Sequence, residues 1–286
     1  MDSLAPATTG TKAEALAQRY GADALKDWQG PPAGPWNETI ALMLDHRSVR
    51  GYKPDPVPPG TLETLIAAAQ SAATSSNMQW WSAIAITDPD KKKVLAEIAG
   101  GQKHIEQCPL YIAWVADMSR NARISEAEKT DFECMPWLET FMVACIDAAL
   151  AAQNAVVAAQ SIGLRTVYIG AMRNDPVRVA ELLGLPPQSF VVFGLCVGYA
   201  ADNKAEGEVK PRLPQSIVLH HERYDAAQET ARRTTYDAEM SKFSARHELQ
   251  AATWTQRVLN RLGPLKSMNG RETIRASLKK LGFEIK

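Results

Sequence analysis

The sequence predicts an α+β or α/β sandwich in which helices cover a central sheet. Helical and strand-like segments alternate along 286 residues, a length that can bury a large core. Apolar runs at 80–87, 110–116 and 165–169 predict strands, and the β-branched and aromatic run at 189–199 predicts a central strand. No internal repeat accompanies this alternation.

The remaining segments predict helices and one long loop. A helix opens at Pro58-Pro59-Gly60 and carries a core-facing stripe of Leu62, Leu65, Ile66 and Ala69, at i, i+3, i+4, i+7 spacing. Short helices are expected at 91–99 and at 177–183. Residues 117–138 are polar and predict an irregular loop of the kind that covers a site or a subunit contact.

Residues 138–162 predict the longest helix of the chain. The segment is rich in alanine and apolar over most of its circumference, which indicates a buried helix. Asp147, Gln153, Asn154 and Gln160 interrupt it and would be costly in lipid, so a membrane span is not expected. The helix could be the spine of the core or lie in a dimer interface, and we expect it to do both.

Composition excludes several classes of partner and site. The 32 basic and 32 acidic residues cancel, so no charge imbalance indicates a nucleic acid or an anionic membrane as partner. The four cysteines show no C-x-x-C pair and no histidine spacing suited to zinc. We therefore expect reduced thiols, a cytoplasmic protein and no metal site. Residues 1–10 lack the basic start and apolar core of a secretion signal.

The N-terminal residues 1–35 are expected to be an appendage. Leu16, Tyr20, Leu25 and Trp28 could form one weak apolar stripe before the glycine- and proline-rich residues 30–35 break any helix. An arm that packs on the body or on a partner subunit, and a disordered tail, are both open readings.

The stretch His46-Arg47-Ser48-Val49-Arg50 is the anchor of the functional interpretation. It follows an apolar run at 40–44, so a short helix would end in a cluster of cations and a hydroxyl. Such a cluster can offer a guanidinium, a hydroxyl and an imidazole to one phosphate. Alternatively, the cations only complement the negative end of the helix dipole in solvent.

Two further polar stretches admit a structural and a binding interpretation. Thr74-Ser75-Ser76-Asn77 is a string of short polar side chains that favours a turn, and could also bind a ribityl chain or sugar. In the extended segment Lys210-Pro211-Arg212-Leu213-Pro214, residues 210 and 212 point the same way and could reach one anion.

Motifs of several common enzyme classes are missing. The sequence contains no G-x-G-x-x-G after a strand, no G-x-x-x-x-G-K-[ST], no H-E-x-x-H and no G-x-S-x-G. Nothing looks like a nucleophile with its base. If the protein is an enzyme, a bound cofactor supplies the chemistry, and we expect no catalytic side chain.

Five motifs in order give the chain a family resemblance over residues 46–224. They are Asp45-His46-Arg47-Ser48-Val49-Arg50, Ala73-Thr74-Ser75-Ser76-Asn77-Met78-Gln79, Gly100-Gly101-Gln102-Lys103-His104, Val167-Tyr168-Ile169-Gly170 and Lys210-Pro211-Arg212-Leu213-Pro214. With them the chain resembles the nitroreductase and flavin reductase family, in its NADPH-preferring, oxygen-insensitive branch. The resemblance implies an α+β fold with a central, mostly antiparallel sheet covered by helices. It also implies a homodimer that binds FMN at the subunit interface, with the long helix in that interface.

The resemblance also implies a division of the chain and roles for its residues. Residues 1–35 would be an N-terminal extension, 36–225 the FMN-binding core, and 226–286 a helical excursion that packs on the core or the partner subunit. The FMN phosphate would be held by His46, Arg47, Lys210 and Arg212. The ribityl chain and phosphate oxygens would be bound by Ser48, Thr74, Ser75 and Ser76. The ring would be met by Arg50 at N1/O2, Gln102 at the pyrimidine edge, Tyr168, and the Gly170 N–H at N5.

The implied activity is a ping-pong reaction. NAD(P)H would give hydride to FMN and leave, and a nitroaromatic, a quinone or a free flavin would then take its place. A second reading is other flavin chemistry on the same scaffold, such as reductive dehalogenation or supply of reduced flavin. A third is a flavin-binding redox sensor without turnover.

The chain departs from the family pattern at three places. Ala171 stands where this branch usually has a second glycine, and Asn77 replaces a bulkier apolar residue; both are expected beside the flavin. Residues 1–35 have no counterpart in shorter relatives. Four tail arginines could grip the 2′-phosphate of NADPH or lie on a solvated face, namely Arg232, Arg233, Arg246 and Arg257.

Overall fold

A computed structural model describes residues 11–21, 34–202 and 207–286. Leu25 and Trp28 of the expected N-terminal stripe lie outside the described residues. The chain forms two compact units. Among the described residues, the first unit contains 48–202, 207 and 268–286, and the second contains 11–21, 34–47 and 208–267.

The first unit is built on a four-stranded antiparallel sheet. Its strands are β1 (Trp81–Ile86), β2 (Leu110–Asp117), β3 (Arg165–Ile169) and β4 (Ser189–Gly198), in the spatial order β1-β2-β4-β3. All four strands lie where the apolar runs predicted them, and β4 is central as expected. The antiparallel sheet with helices confirms the α+β fold class.

The helices of the described residues are numbered in chain order. They are α1 (Lys12–Tyr20), α2 (Glu38–Leu44), α3 (Thr61–Gln70), α4 (Pro89–Ile98), α5 (Lys103–Gln107), α6 (Ser119–Glu128), α7 (Leu138–Ser161), α8 (Pro176–Leu183), α9 (Gln215–Val218), α10 (Glu229–Arg246), α11 (Trp254–Leu262) and α12 (Ile274–Lys280). Helix α3 buries Leu65 and Ala69 of the predicted stripe. Short 3₁₀ turns cover Ser75–Asn77, Gly170–Asn174, Leu265–Met268 and Arg271–Thr273.

Strand β2 forms the centre of the core in the first unit. Every residue of β2 is buried, and the rings of Trp81 and Trp114 pack 5.5 Å apart across β1 and β2. Gly194 on β4 allows the fully buried Tyr111 of β2 to lie against the backbone, because an added Cβ would overlap the Tyr111 hydroxyl. This close approach explains a glycine inside a central strand.

Helix α6 replaces part of the loop expected at 117–138, so that prediction was wrong. The segment is polar on all sides and gives no apolar periodicity that a sequence analysis could detect. The Asp117 carboxylate accepts hydrogen bonds from the N–H and the hydroxyl of Ser119, at 3.0 and 2.6 Å. It therefore caps the helix from the end of β2.

Helix α7 has the predicted bounds to within a residue, but it is not buried on all sides. Its alanine-rich face packs on the sheet and is buried. Leu138, Met142, Ile146 and Leu150 recur every four residues on the other face and are 45–52% exposed. The expectation of a fully buried helix is therefore wrong for the single chain. By length and composition alone, α7 is the one helix in the described residues that could cross a membrane.

The second unit has its own small core. Tyr236, Met240 and Phe243 of α10 pack with Leu213 and Trp254. Helix α1 begins at a capping box, in which the Thr11 hydroxyl accepts the Glu14 N–H and the Glu14 carboxylate accepts the Thr11 N–H. Residues 11–21 of the expected appendage are thus an ordered part of this unit.

Candidate functional site

The first two cations of the anchor directly follow α2. The Asn37 side chain caps the start of α2 by accepting the Ile40 N–H at 3.0 Å, and the helix ends at Asp45. The Arg47 guanidinium forms an ion pair with the Asp45 carboxylate and donates from Nε to the Asp45 carbonyl at 3.2 Å. His46 and Arg47 are both half-buried. The expected short helix and its cationic end are confirmed.

The second pair of cations lies on the extended segment 208–214. Lys210 and Arg212 are exposed, whereas Val209 and Pro211 are buried. The Tyr236 hydroxyl donates to the Pro211 carbonyl at 3.0 Å and fixes the buried side of the segment. This alternation places residues 210 and 212 on the same side, as the extended x-Pro-x pattern predicts.

Arg19 of α1 joins these two cationic segments within the second unit. Its buried guanidinium donates to the carbonyls of Lys210 at 2.9 Å and His46 at 2.8 Å, and also to the Leu44 carbonyl. His46, Arg47, Lys210 and Arg212, the cationic cluster, therefore come from two segments that share one guanidinium. No sequence pattern pointed to Arg19, because an arginine on a polar helix usually lies in solvent.

In the first unit, Ser48 and Arg50 lie beside the edge strand β3. Ser48 forms a parallel bridge with Thr166, and the Val49 N–H donates to the Thr166 carbonyl at 3.0 Å. Val49 is fully buried, and its carbonyl accepts from the Tyr52 hydroxyl at 2.8 Å. Ser48 and Arg50 on either side of it are exposed. The backbone here is fixed, while both polar side chains remain accessible.

Arg50 also lies near the segment that carries Gln102. Burial and, after it, the positive charge of Arg50 lower the pKa of His104. His104 is therefore neutral at pH 7 and adds no second positive charge beside Arg50. The half-buried Gln102 donates from Nε2 to the Ala99 carbonyl at 2.9 Å. The first unit thus brings Arg50 close to this loop.

The polar turn, residues 74–77, is held by a buried carboxylate of α7. Asp147 accepts the Ser75 N–H at 3.1 Å and the Trp80 N–H at 3.4 Å, and it is only 2% exposed. The Thr74 hydroxyl accepts the Gln79 N–H at 3.0 Å, so it also stabilises the turn. Ser75 and Ser76 are exposed. The turn expected here is confirmed, and its hydroxyls remain candidates for binding.

We expect Asp147→Ala to lower the free energy of unfolding by about 1–3 kcal/mol, because two N–H groups lose their acceptor. FMN affinity should fall with it, since the polar turn is no longer fixed. Asp147→Asn retains one acceptor oxygen, so its free energy of unfolding should lie between those of the wild type and Asp147→Ala. Urea unfolding of the apoprotein measures the first effect, with Glu139→Ala at an exposed position of α7 as the control. An equal effect of the two alanine variants would contradict this role of Asp147.

Tyr168, Gly170 and Ala171 lie at the end of β3. The Tyr168 hydroxyl donates to Gln153 Oε1 of α7 at 3.3 Å, and burial raises the pKa of that hydroxyl. Gly170 starts the 3₁₀ turn at Gly170–Asn174, and Ala171 is buried. A Cβ at Gly170 would meet the Arg173 guanidinium at 3.0 Å, so the glycine makes room for that side chain.

Asp147 and Gln153 were not predicted as site residues. The sequence showed them only as polar interruptions of an apolar helix. In the structure they connect α7 to the polar turn and to β3. Asn77, one of the departures from the family pattern, has a φ of +56°. Asparagine tolerates this left-handed conformation better than a bulky apolar residue does, which explains its presence in the turn.

Comparison with protein-family models matches residues 43–199 to the nitroreductase family and residues 210–286 to the C-terminal domain of that family. The chain belongs to the nitroreductase family. The resemblance drawn from the five motifs is thereby confirmed.

Individual members of the family are similar over most of the chain. An NAD(P)H-dependent FMN reductase of Bacillus subtilis (strain 168) is 38% identical over 254 residues, which are 87% of this chain and 99% of that protein. An oxygen-insensitive NADPH nitroreductase of Salmonella typhimurium is 37% identical over 205 residues, 72% of this chain and 82% of that protein. The solved structure of NADPH:FMN oxidoreductase from Vibrio harveyi, complexed with NAD⁺, superposes with a TM-score of 0.77. It is 33% identical and covers 87% of this chain and 100% of that chain.

The site has one component that lies outside the family models. Both models together begin at residue 43, whereas Arg19 and α1 precede that residue. The cationic cluster itself falls within the matched residues. No group of side chains that could hold a metal ion occurs in the part of the chain that the structure describes.

Proposed function

We propose that this chain is an FMN-dependent oxidoreductase that takes hydride from NAD(P)H and reduces nitroaromatics, quinones or flavins by a ping-pong mechanism. The activity of its relatives as NAD(P)H-dependent flavin oxidoreductases supports the proposal. The single structural observation that carries it is the cationic cluster, since hydrogen bonds to the Arg19 guanidinium join the two distant segments that carry His46, Arg47, Lys210 and Arg212. Such a donor set suits a phosphate dianion.

The residues fit FMN by the chemistry of their donors. His46, Arg47, Lys210 and Arg212 would hold the phosphate, with charge-assisted hydrogen bonds. Ser48 and the hydroxyls of Thr74, Ser75 and Ser76 suit the neutral ribityl chain. Gln102, Asn77, Tyr168 and Ala171 would surround the ring. We thus propose that cations bind the phosphate of FMN and that mostly neutral residues surround its ribityl chain and ring.

When bound, FMN would supply the hydride-transfer chemistry through its N5 atom. Arg50 would supply a fixed positive charge near N1 and O2, where negative charge develops on reduction. The backbone N–H of Gly170 would orient N5, and the absence of a side chain permits close approach. No side-chain acid or base is needed for these roles.

We also propose that the protein is a cytoplasmic homodimer. The exposed stripe of α7, formed by Leu138, Met142, Ile146 and Leu150, supports a subunit interface because such apolar rows rarely face solvent. All four cysteines are free, as a reducing compartment favours. The electron acceptor is a small molecule, and its physiological identity is left to an acceptor panel.

Anaerobic spectroscopy tests the proposed activity. Protein reconstituted with FMN should lose its yellow colour on addition of NADPH or NADH and regain it on addition of nitrofurazone or menadione. Bleaching without recovery by any nitroarene or quinone would favour other flavin chemistry on this scaffold. A bound flavin that neither nicotinamide nucleotide reduces would contradict the proposal, as would a chain that binds no FMN.

A further inference from the structure

Arg19 is a charged residue buried inside the second unit. It is only 7% exposed, and its guanidinium donates to three carbonyls, those of Leu44, His46 and Lys210. Burial of a charged group is unfavourable unless hydrogen bonds replace its water. Three carbonyl oxygens replace that water. Those of Leu44 and His46 lie 25 and 27 residues away in sequence, and that of Lys210 lies 191 residues away.

The backbone of Arg19 contributes a further contact to the same segments. Its carbonyl accepts the Arg212 N–H at 2.8 Å, while its side chain binds the Lys210 carbonyl. The segment that carries Lys210 and Arg212 is therefore held to α1 by one side-chain and one main-chain hydrogen bond. Both contacts in that segment are therefore with the backbone of residues of the cationic cluster, Lys210 and Arg212.

Arg19 is also held among like charges. Burial and, after it, the positive charge of Arg212 lower the pKa of Arg19 to about 10, and Arg47 acts in the same direction. Asp45 and Tyr20 oppose these effects. The guanidinium is therefore still positive at neutral pH. Cations that the fold keeps together in this way repel each other, and a bound dianion relieves that repulsion.

We infer that Arg19 is a positioning residue for the phosphate group of the flavin. It fixes the backbone of His46 and of Lys210 and Arg212, so that the cationic cluster is arranged before the phosphate binds. This inference rests on the proposed function and assigns a role to α1, which precedes the residues matched by the family models. Preorganisation of this kind raises affinity because less conformational freedom is lost on binding.

The test compares FMN with riboflavin, which has the same ring and ribityl chain but no phosphate. Dissociation constants of both flavins are measured by quenching of flavin fluorescence, for the wild type, Arg19→Gln and Lys12→Ala. Lys12 is the matched control, because it is a half-buried cation of the same helix that donates to the Gly34 carbonyl and not to a residue of the cationic cluster. Circular dichroism of each apoprotein reports whether the variant is folded.

We expect Arg19→Gln to raise the Kd for FMN by about tenfold or more and the Kd for riboflavin by less than about threefold. Lys12→Ala should leave both constants unchanged. An equal rise in the Kd for FMN and for riboflavin would show that Arg19 only stabilises the fold, and would overturn the inference. Unchanged Kd values for both flavins would also overturn it. If Arg19→Gln does not fold, Arg19→Lys is measured instead, and the preference for FMN is expressed as the Kd for riboflavin divided by the Kd for FMN. A preference at least about threefold below that of the wild type supports the inference, and an unchanged preference overturns it.

The wild-type measurement separates this inference from the proposed function. A wild-type protein that binds no flavin removes the proposed function. A wild-type protein that binds FMN no better than riboflavin removes the phosphate site. If the wild type prefers FMN and Arg19→Gln keeps the same preference, only the role of Arg19 is contradicted.

Discussion

Replacing Arg212 with alanine is expected to raise the Kd for FMN by about 10- to 150-fold while leaving the second unit folded. One charge-assisted hydrogen bond to phosphate contributes about 1.5–3 kcal/mol, which corresponds to that range. The side chain of Arg212 is exposed and donates a long hydrogen bond of 3.4 Å to the Lys210 carbonyl. Its main-chain contact with Arg19 does not depend on the side chain.

Arg232→Ala is the matched control for this prediction. It removes one half-buried cation from the same unit, and its guanidinium donates to the Ser216 carbonyl at 2.9 Å and does not belong to the cationic cluster. Fluorescence titration with FMN, together with thermal unfolding of the apoproteins, measures affinity and stability separately. Equal FMN affinity in Arg212→Ala and the wild type would show that the phosphate binds elsewhere.

Replacing Arg50 with alanine is expected to slow reduction of the bound flavin by about 100-fold, with a much smaller loss of FMN affinity. Removal of a fixed donor that stabilises developing negative charge typically costs 10²–10³ in rate. The positive charge of Arg50 also stabilises the reduced flavin more than the oxidised flavin. The midpoint potential should therefore fall in the variant, by about 30 mV for each tenfold loss of relative binding of the reduced form.

Stopped-flow reduction by NADPH under anaerobic conditions, at saturating FMN, measures the rate without interference from cofactor loss. Arg50→Lys retains the positive charge and should recover part of the rate and of the potential. The backbone at this position is fixed by the buried Val49, so neither substitution should unfold the first unit. A variant that loses FMN but is reduced at the normal rate when saturated would contradict the proposed role of Arg50.

The sequence predicted the elements whose apolar pattern is regular. All four strands, the stripe of α3 and the bounds of α7 follow from the spacing of apolar residues. Helix α6 escaped prediction because it has no apolar stripe and is capped by a residue of the preceding strand. The exposed face of α7 was also missed, since composition shows how apolar a helix is but not which side faces the sheet.

The residues of the candidate site also fall into a group that the sequence predicted and a group that it did not. The cationic and hydroxyl motifs could be read because each is a short local cluster, and the alternation around Pro211 followed from strand geometry. Arg19, Asp147 and Gln153 could not be found in this way. Each acts through contacts with residues far away in sequence, and each is surrounded by residues that suggest an ordinary helix. Such positioning residues become visible only when the fold is known.

A crystal structure of the protein with FMN bound tests the central claim most directly. The account predicts that the phosphate lies within hydrogen-bond distance of both His46–Arg47 and Lys210–Arg212, with Arg50 at the N1/O2 edge of the same flavin. A flavin whose phosphate lies in solvent or contacts other cations, or whose ring is far from Arg50, would contradict it.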